Sequence, residues 1–270
     1  MMFIKWIKDL YKFVKIKKFR FITCYLIMII VSTALGKTYI SKYSLDGAKL
    51  CALDMLCDMY KNLGMLGNTS YMVIIFIFSL LVLTLLEYEN KKLCIIKRKS
   101  RKELIRRKFF YVAVMSFVLI FTLIFLGYII SGILSGCFNN MWTSTDGIIY
   151  KLVNNIYNWN DISQNFSSFK VLISIFISGF LGLTAIGMFI CILNMYIKNA
   201  YSIAIVVLQM YISVLFENCS IVFKQMHIYL PNLIFPISII KNQIYLLAVI
   251  LLLYKLGIYL IEKKDFLDKN

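Results

Sequence analysis

Few residues in this chain have the types and spacing that catalysis or metal binding requires. His227 is the only histidine, and no acidic cluster surrounds it, so a metal site lacks its ligands and we expect an interfacial side chain. The 7 cysteines include no CxxC pair, which argues against a zinc site. Cys51 and Cys57 are predicted to lie outside the membrane, either as a disulfide or, as their six-residue spacing favours, as free thiols. No cofactor is expected.

The tripeptide Gly36-Lys37-Thr38 resembles the end of a nucleotide-binding P-loop. That loop requires a glycine five residues before Gly36, and Val31 occupies the position. The chain is therefore not expected to hydrolyse ATP or to be an enzyme.

The elements that carry these residues are predicted to be membrane-spanning helices. The chain is 61% hydrophobic with a mean hydropathy of +0.79, whereas soluble domains are about 45–50% apolar. The apolar residues form runs too long for the core helices of a soluble protein. The sequence predicts an all-α, polytopic membrane protein in one domain over residues 1–270, with six spans at 20–35, 71–86, 109–134, 171–193, 201–216 and 243–261.

The positive charge follows the predicted topology. The net charge is +17, and the segments on one side of the predicted spans hold 21 lysines and arginines against 8 on the other side. Basic loops mark the cytoplasmic side, so both termini are expected in the cytoplasm of a multi-pass cell-membrane protein. Because topology explains the charge, nucleic acid is not expected as a partner. The basic segments are 1–20, 88–108, 194–200 and 262–270.

Several residues are expected at the membrane surface. Residues 1–19 form a basic amphipathic segment, in which Trp6, Lys5 and Lys12 are predicted to contact lipid head groups as part of an interfacial helix. Lys255, within the last span, is expected to extend its ammonium group to the cytoplasmic interface. Glu217, at the outer end of the fifth span, is predicted either to face a substrate path or to cap the helix.

The segments outside the membrane are predicted to be structured in part. Residues 44–66 show helical spacing of apolar side chains, and residues 138–169 suggest an irregular loop. Residues 221–240 are apolar but contain Pro231 and Pro236. Since proline interrupts helices, we expect short helices that dip into the outer leaflet, as a broken hairpin before the last span.

The strongest local signal is the charged segment 88–108, between the second and third spans. Its apolar residues, Ile96 among them, are flanked by dense charge, which is typical of a short helix on the membrane surface. Such a helix presents a face to a cytosolic partner. The alternative is a basic loop that only binds anionic lipid heads.

At these residues the sequence resembles the permease subunits of type-2 ATP-binding cassette exporters. In that family the loop opens with a glutamate, turns at a Ser-Arg pair and reaches a lysine at the third span. Glu87, Ser100, Arg101 and Lys108 stand at the matching positions.

The chain departs from the family pattern at two places. Lys91-Lys92 replaces the usual Gly-Thr pair, and Arg98 stands near the usual proline. The size and the order of the predicted elements are also similar to small permeases of antibiotic-peptide immunity and drug efflux.

The resemblance implies a transport subunit that depends on partners. Two permease subunits, identical or related, would pair around a substrate path, and cytosolic ATPase subunits would dock on 88–108 and on the N-terminal helix. Glu87 and Arg101 would orient the docking helix, and Lys108 would anchor it to lipid phosphates. The substrate would be an amphiphile: an antimicrobial peptide, a drug or a lipid.

Two other classes of function remain as alternatives. One is a membrane immunity or scaffold protein that transports nothing. The other is an ion-coupled carrier or channel, which requires acidic or polar residues at mid-span depth, and the sequence has almost none there.

Overall fold

The computed structural model describes residues 2–43, 49–57, 66, 68–90, 100–153, 156–216 and 220–263. These residues are helical and contain no β-strand, apart from one isolated bridge between Lys49 and Gly147. The α-helices of the described chain are α1 (Met2–Ile16), α2 (Lys18–Tyr43), α3 (Ala52–Cys57), α4 (Asn68–Glu89), α5 (Arg101–Ser135), α6 (Ile148–Val153), α7 (Trp159–Ile162), α8 (Ser168–Leu193), α9 (Asn199–Leu215), α10 (Phe223–Met226), α11 (Leu230–Ile234) and α12 (Ile237–Lys263).

Five of the described helices, α2, α4, α5, α8 and α12, are long and apolar enough to cross a membrane. They coincide with five of the six predicted spans, which confirms the prediction of an all-helical chain built for a membrane. The remaining predicted span, 201–216, corresponds to α9, which has 17 residues. At 1.5 Å per residue α9 covers about 25 Å, less than the roughly 30 Å of a hydrocarbon core.

The helix that contains the third predicted span, 109–134, is longer than that span. The structure starts α5 at Arg101 rather than at residue 109, so the end of the predicted loop 88–108 is helical. Ser100 caps this helix, because its hydroxyl accepts a hydrogen bond from the Glu103 amide at 3.2 Å. The 35 residues of α5 extend for about 50 Å, so its charged first turns project beyond an apolar layer.

α8 lies at the centre of the bundle and packs against α4, α5 and α12. Buried residues make up 78% of its most apolar stretch, compared with 12% for α2 and 17% for α12. A helix that is apolar on every side suits this central position. α2 and α12 therefore lie at the periphery.

Glycines on α8 allow its neighbours to approach closely. A Cβ atom on Gly187 would lie 2.4 Å from Val112 Cγ1, and one on Gly182 would lie 2.4 Å from Met226 Cβ. Lipid provides no hydrophobic drive for helices to associate, so close packing of this kind stabilises the contact.

The helices end on two sides of the bundle. One side, which we call the basic end, carries the end of α4, the start of α5 and the end of α12. There the Arg101 guanidinium donates to the Glu262 carbonyl oxygen at 3.4 Å. The opposite end carries α3 and the short helices between α5 and α8.

A buried carboxylate holds the opposite end together. Asp54, in α3, is 2% exposed; it accepts hydrogen bonds from the Trp142 indole at 2.6 Å and from the Cys51 amide at 2.9 Å. Cys51 and Cys57 are buried and form no disulfide with each other, and burial, with the nearby Asp54 charge, raises the pKa of Cys51 to about 12.

The predicted outer segments are partly different in the structure. The stretch 138–169, expected to be an irregular loop, forms short helices over its described residues. Of the helix predicted at 44–66, the described part is helical only at Ala52–Cys57. His227, expected at an interface, is 2% exposed and packs against Tyr229 with the two rings tilted by 45° and their centroids 4.4 Å apart.

The contact between α5 and α8 predicts a specific rescue. Gly187→Ala places a methyl group against Val112 and should lower stability by about 1–3 kcal/mol, the usual cost of overpacking. Adding Val112→Ala removes the clashing Cγ1 atom and should restore part of the loss. The measurement is the thermal unfolding midpoint in one detergent.

Val118→Ala serves as the matched control, because Val118 also lies on α5 but is 46% exposed. It should not rescue Gly187→Ala. Equal rescue by both valine substitutions would contradict this packing.

Candidate functional site

The basic end brings together most of the residues that the sequence analysis singled out. α1 lies there against α2 and α5. Its apolar face is buried, and the Trp6 ring packs 5.5 Å from the Phe110 ring while Phe13 packs 5.2 Å from Tyr88. Trp6 was expected to contact lipid head groups, but it is 3% exposed and contacts protein instead. Lys5 and Lys12 lie on the exposed face of α1, where contact with head groups is possible.

A buried arginine connects α1, α4 and α5. Arg107 is 3% exposed, and its guanidinium lies 2.9 Å from a Glu89 carboxylate oxygen and 3.0 Å from Asp9. Glu89 is 1% exposed, whereas Asp9 is 31% exposed. The guanidinium carbon also lies 4.9 Å from the centre of the Tyr111 ring, a favourable cation–π contact. Two carboxylates from different helices thus neutralise one buried cation.

A second network of polar side chains starts beside this cluster. The Lys108 ammonium donates to Asn90 Oδ1 at 2.6 Å, and Asn90 Nδ2 donates to Asn194 Oδ1 at 3.2 Å. Asn194 then donates to Asn199, which donates to Glu87 Oε1 at 2.8 Å. The network connects α5, α4, the end of α8 and the start of α9. Lys108, expected to reach lipid phosphates, is 5% exposed and held within this network.

The start of α5 contacts the end of α12. Arg101 is exposed and donates to the Glu262 carbonyl, and the Lys102 ammonium lies 2.7 Å from the Glu262 carboxylate. Ser100 is the helix cap and is exposed. Arg101 and Ser100 therefore lie on an accessible surface where the segment 91–99 joins α5.

The other predicted site residues are dispersed. Lys255 is exposed on α12, eight residues or about 12 Å before the last residue of that helix. Ile96 and Glu217 lie outside the described residues, so their predicted roles stay predictions.

None of the three residues of the cluster was singled out from the sequence. Asp9, Glu89 and Arg107 were read as members of basic or charged stretches, and the asparagines of the second network drew no attention. One available signal was that Glu89 and Arg107 flank two apolar runs, where an ionisable side chain usually has a partner. The described residues contain no group of three or more histidine, cysteine or acidic side chains arranged to hold a metal ion.

The polar side chains of the basic end largely pair with one another and join helix ends, an arrangement that can transmit movement between helices. Exposed side chains at this end include Arg101, Ser100, Glu87 and the lysines of α1. Comparison with protein-family models, with curated proteins and with solved structures gives no match.

The buried ion pair predicts a large and reversible loss of stability. Arg107→Met leaves Glu89 buried without its guanidinium partner and should cost about 3–5 kcal/mol. Adding Glu89→Leu removes the unpaired charge and should recover most of the loss, since Asp9 can still reach water. Thermal unfolding in detergent measures both effects.

Lys102→Met is the control, because it breaks a pair whose side chains are 49% and 46% exposed. An exposed pair contributes at most about 1 kcal/mol. An Arg107→Met effect no larger than this control would show that the cluster does not hold the basic end together.

Proposed function

We propose that the chain is the membrane subunit of a type-2 ATP-binding cassette exporter. It moves an amphiphilic substrate, such as an antimicrobial peptide, a drug or a lipid, out of the cell. A separate cytosolic subunit hydrolyses the ATP, and a second permease subunit completes the substrate path. The basic end faces the cytoplasm and α9 is the sixth crossing.

The observation that carries the proposal is the ion-paired cluster of Arg107, Glu89 and Asp9. α4 ends at Glu89 and α5 begins at Arg101, so the segment 91–99 joins these two helices within a few residues of this cluster. Because Arg107 joins these two helices to α1, a push on the segment displaces three helix ends together. An ATPase that works by moving such a segment requires a rigid connection of this kind.

The asparagine network extends the connection to further helices. Asn90 directly precedes the segment 91–99, and Lys108 lies in α5 after it. Asn194 directly follows the last residue of α8, and Asn199 is the first residue of α9. Rearrangement of α8 or α9 therefore has to break or remake hydrogen bonds beside the proposed ATPase contact. Through these hydrogen bonds, nucleotide-driven motion would reach the helices that line a substrate path.

The depth of α10 supports a re-entrant segment before the last span. Met226 of α10 packs on Gly182, which lies 14 residues from the first residue of α8 and 11 residues from the last. These separations correspond to about 21 and 16 Å along the helix. These separations support the proposal that residues 220–236 enter the bundle from the opposite end, with Pro231 and Pro236 at the starts of new helices.

The proposed orientation can be tested by labelling single introduced cysteines. Ser100→Cys at the basic end should react with a membrane-impermeant maleimide only after cells are permeabilised. Thr145→Cys, exposed at the opposite end, should react in intact cells. The wild-type chain, labelled in parallel, gives the background from its own 7 cysteines. The reverse pattern would place the basic end outside and remove the ATPase contact.

The proposed partner can be tested by co-purification. The chain, expressed with a candidate ATP-binding cassette ATPase, should retain that protein through purification. Arg101→Ala and Glu87→Ala should lower the recovered ATPase about tenfold, since loss of a charged contact at an interface usually costs more than 1.4 kcal/mol. Lys255→Ala removes another exposed charge, eight residues before the last residue of α12, and should leave the recovery of the ATPase unchanged.

Absence of the ATPase from the wild-type preparation would contradict the exporter and favour a membrane protein that transports nothing. Retention by both variants at the wild-type level would instead contradict only the roles of Glu87 and Arg101.

A further inference from the structure

A cavity of about 480 Å³ lies between α2, α4 and α9 near the basic end. Leucine and isoleucine side chains, including Leu80 and Ile203, form its apolar wall. Its polar side carries Arg20, Thr84 and Glu87. None of the roles proposed above uses Arg20 or the apolar wall.

The cavity contains one cation and one anion that are not paired with each other. The Arg20 guanidinium donates to Thr84 Oγ1 at 3.4 Å and has no carboxylate partner in the described part of the chain. Glu87 accepts a hydrogen bond from Asn199 and likewise has no cationic partner among those residues. Both side chains are exposed, so each can bind an opposite charge from outside the protein.

The charges and the apolar wall follow a fixed order along α4. Glu87 lies nearest the basic end, Thr84 lies three residues farther from that end, and Leu80 lies four residues beyond Thr84. These steps correspond to about 4.5 Å and 6 Å along the helix axis. From the end inward, the cavity therefore presents a carboxylate, then a guanidinium with a hydroxyl group, and then hydrocarbon.

A phospholipid with a primary-amine head group has the complementary order: an ammonium outermost, a phosphate next and acyl chains innermost. We propose that this cavity binds such an aminophospholipid from the leaflet at the basic end. Glu87 accepts hydrogen bonds from the ammonium, and Arg20 with Thr84 donates to the phosphate, which guanidinium groups bind well. The apolar wall contacts the upper part of the acyl chains.

The position of the cavity makes it accessible from the lipid. α2, which forms one side, is only 12% buried over its most apolar stretch, and Phe19 beside Arg20 is 75% exposed. A second copy of the chain could cover the same side. The charges, however, lie at one end of the cavity, as a head group requires, and an apolar helix from another copy would leave both of them uncompensated.

Native mass spectrometry of the full-length chain in detergent can test this proposal without any ATPase. Added phosphatidylethanolamine should bind about tenfold more tightly than phosphatidylglycerol, whose head group lacks the ammonium. Arg20→Gln should weaken both lipids. Glu87→Gln should remove the preference by weakening phosphatidylethanolamine alone. Lys18→Gln, which removes a charge two residues before Arg20 but outside the cavity, should change neither lipid.

Equal binding of the two lipids to the wild-type chain would overturn the proposal. The proposal would also be overturned if Arg20→Gln weakened lipid binding no more than Lys18→Gln does. A dimer without bound lipid that Arg20→Gln dissociates would assign the cavity to a second copy. Thermal unfolding of each variant shows that it is folded. Because Arg20 has no part in the proposed ATPase contact, failure of the lipid-binding proposal leaves the exporter proposal standing.

Discussion

The burial of Arg107 is the constraint on which the basic end depends. A guanidinium that is 3% exposed would be strongly destabilising without compensation, so the chain has to bring carboxylates to it. Glu89 comes from the helix before and Asp9 from the N-terminus, which fixes α1 against α4 and α5. Lys108 adds a second buried cation, so the four charges balance. α1 is thereby a structural part of the bundle as well as a surface helix.

The second network carries the connection from Lys108 to Glu87 through neutral amides. An asparagine amide both donates and accepts, so consecutive amides can join helix ends while each stays neutral. Asn90, Asn194 and Asn199 do this between α4, α8 and α9. Chains of hydrogen bonds in a low-dielectric region tend to strengthen one another. The basic end thus combines an ion-paired cluster with a chain of neutral amides.

Hydropathy predicted six spans, and five of them coincide with long apolar helices, because an apolar run of that length is typical of a membrane span. It could not place the start of α5, since backbone hydrogen bonds continue through Arg101–Lys108 although the side chains become charged. The basic amphipathic pattern placed Trp6 at lipid head groups, and the family resemblance placed Lys108 there, whereas both side chains are buried. Their true partners, Phe110 and Asn90, lie in other helices, and Asp9 is 98 residues from Arg107 in sequence. Charge patterns reveal which side a segment faces, but not which opposite charge it meets.

Glu87 belongs both to the asparagine network and to the cavity. Whether it can take part in both depends on how many hydrogen bonds a carboxylate can accept. Two oxygens provide about four acceptor positions, and the described contacts of Glu87 use one of them, from Asn199 to Oε1. An ammonium group in the cavity can therefore bind Glu87 while the amide chain stays intact. The same ammonium would lower the charge that Glu87 presents to a cytosolic partner. On this assignment lipid occupancy would tune the docking surface through electrostatics, leaving the positions of α4 and α9 unchanged.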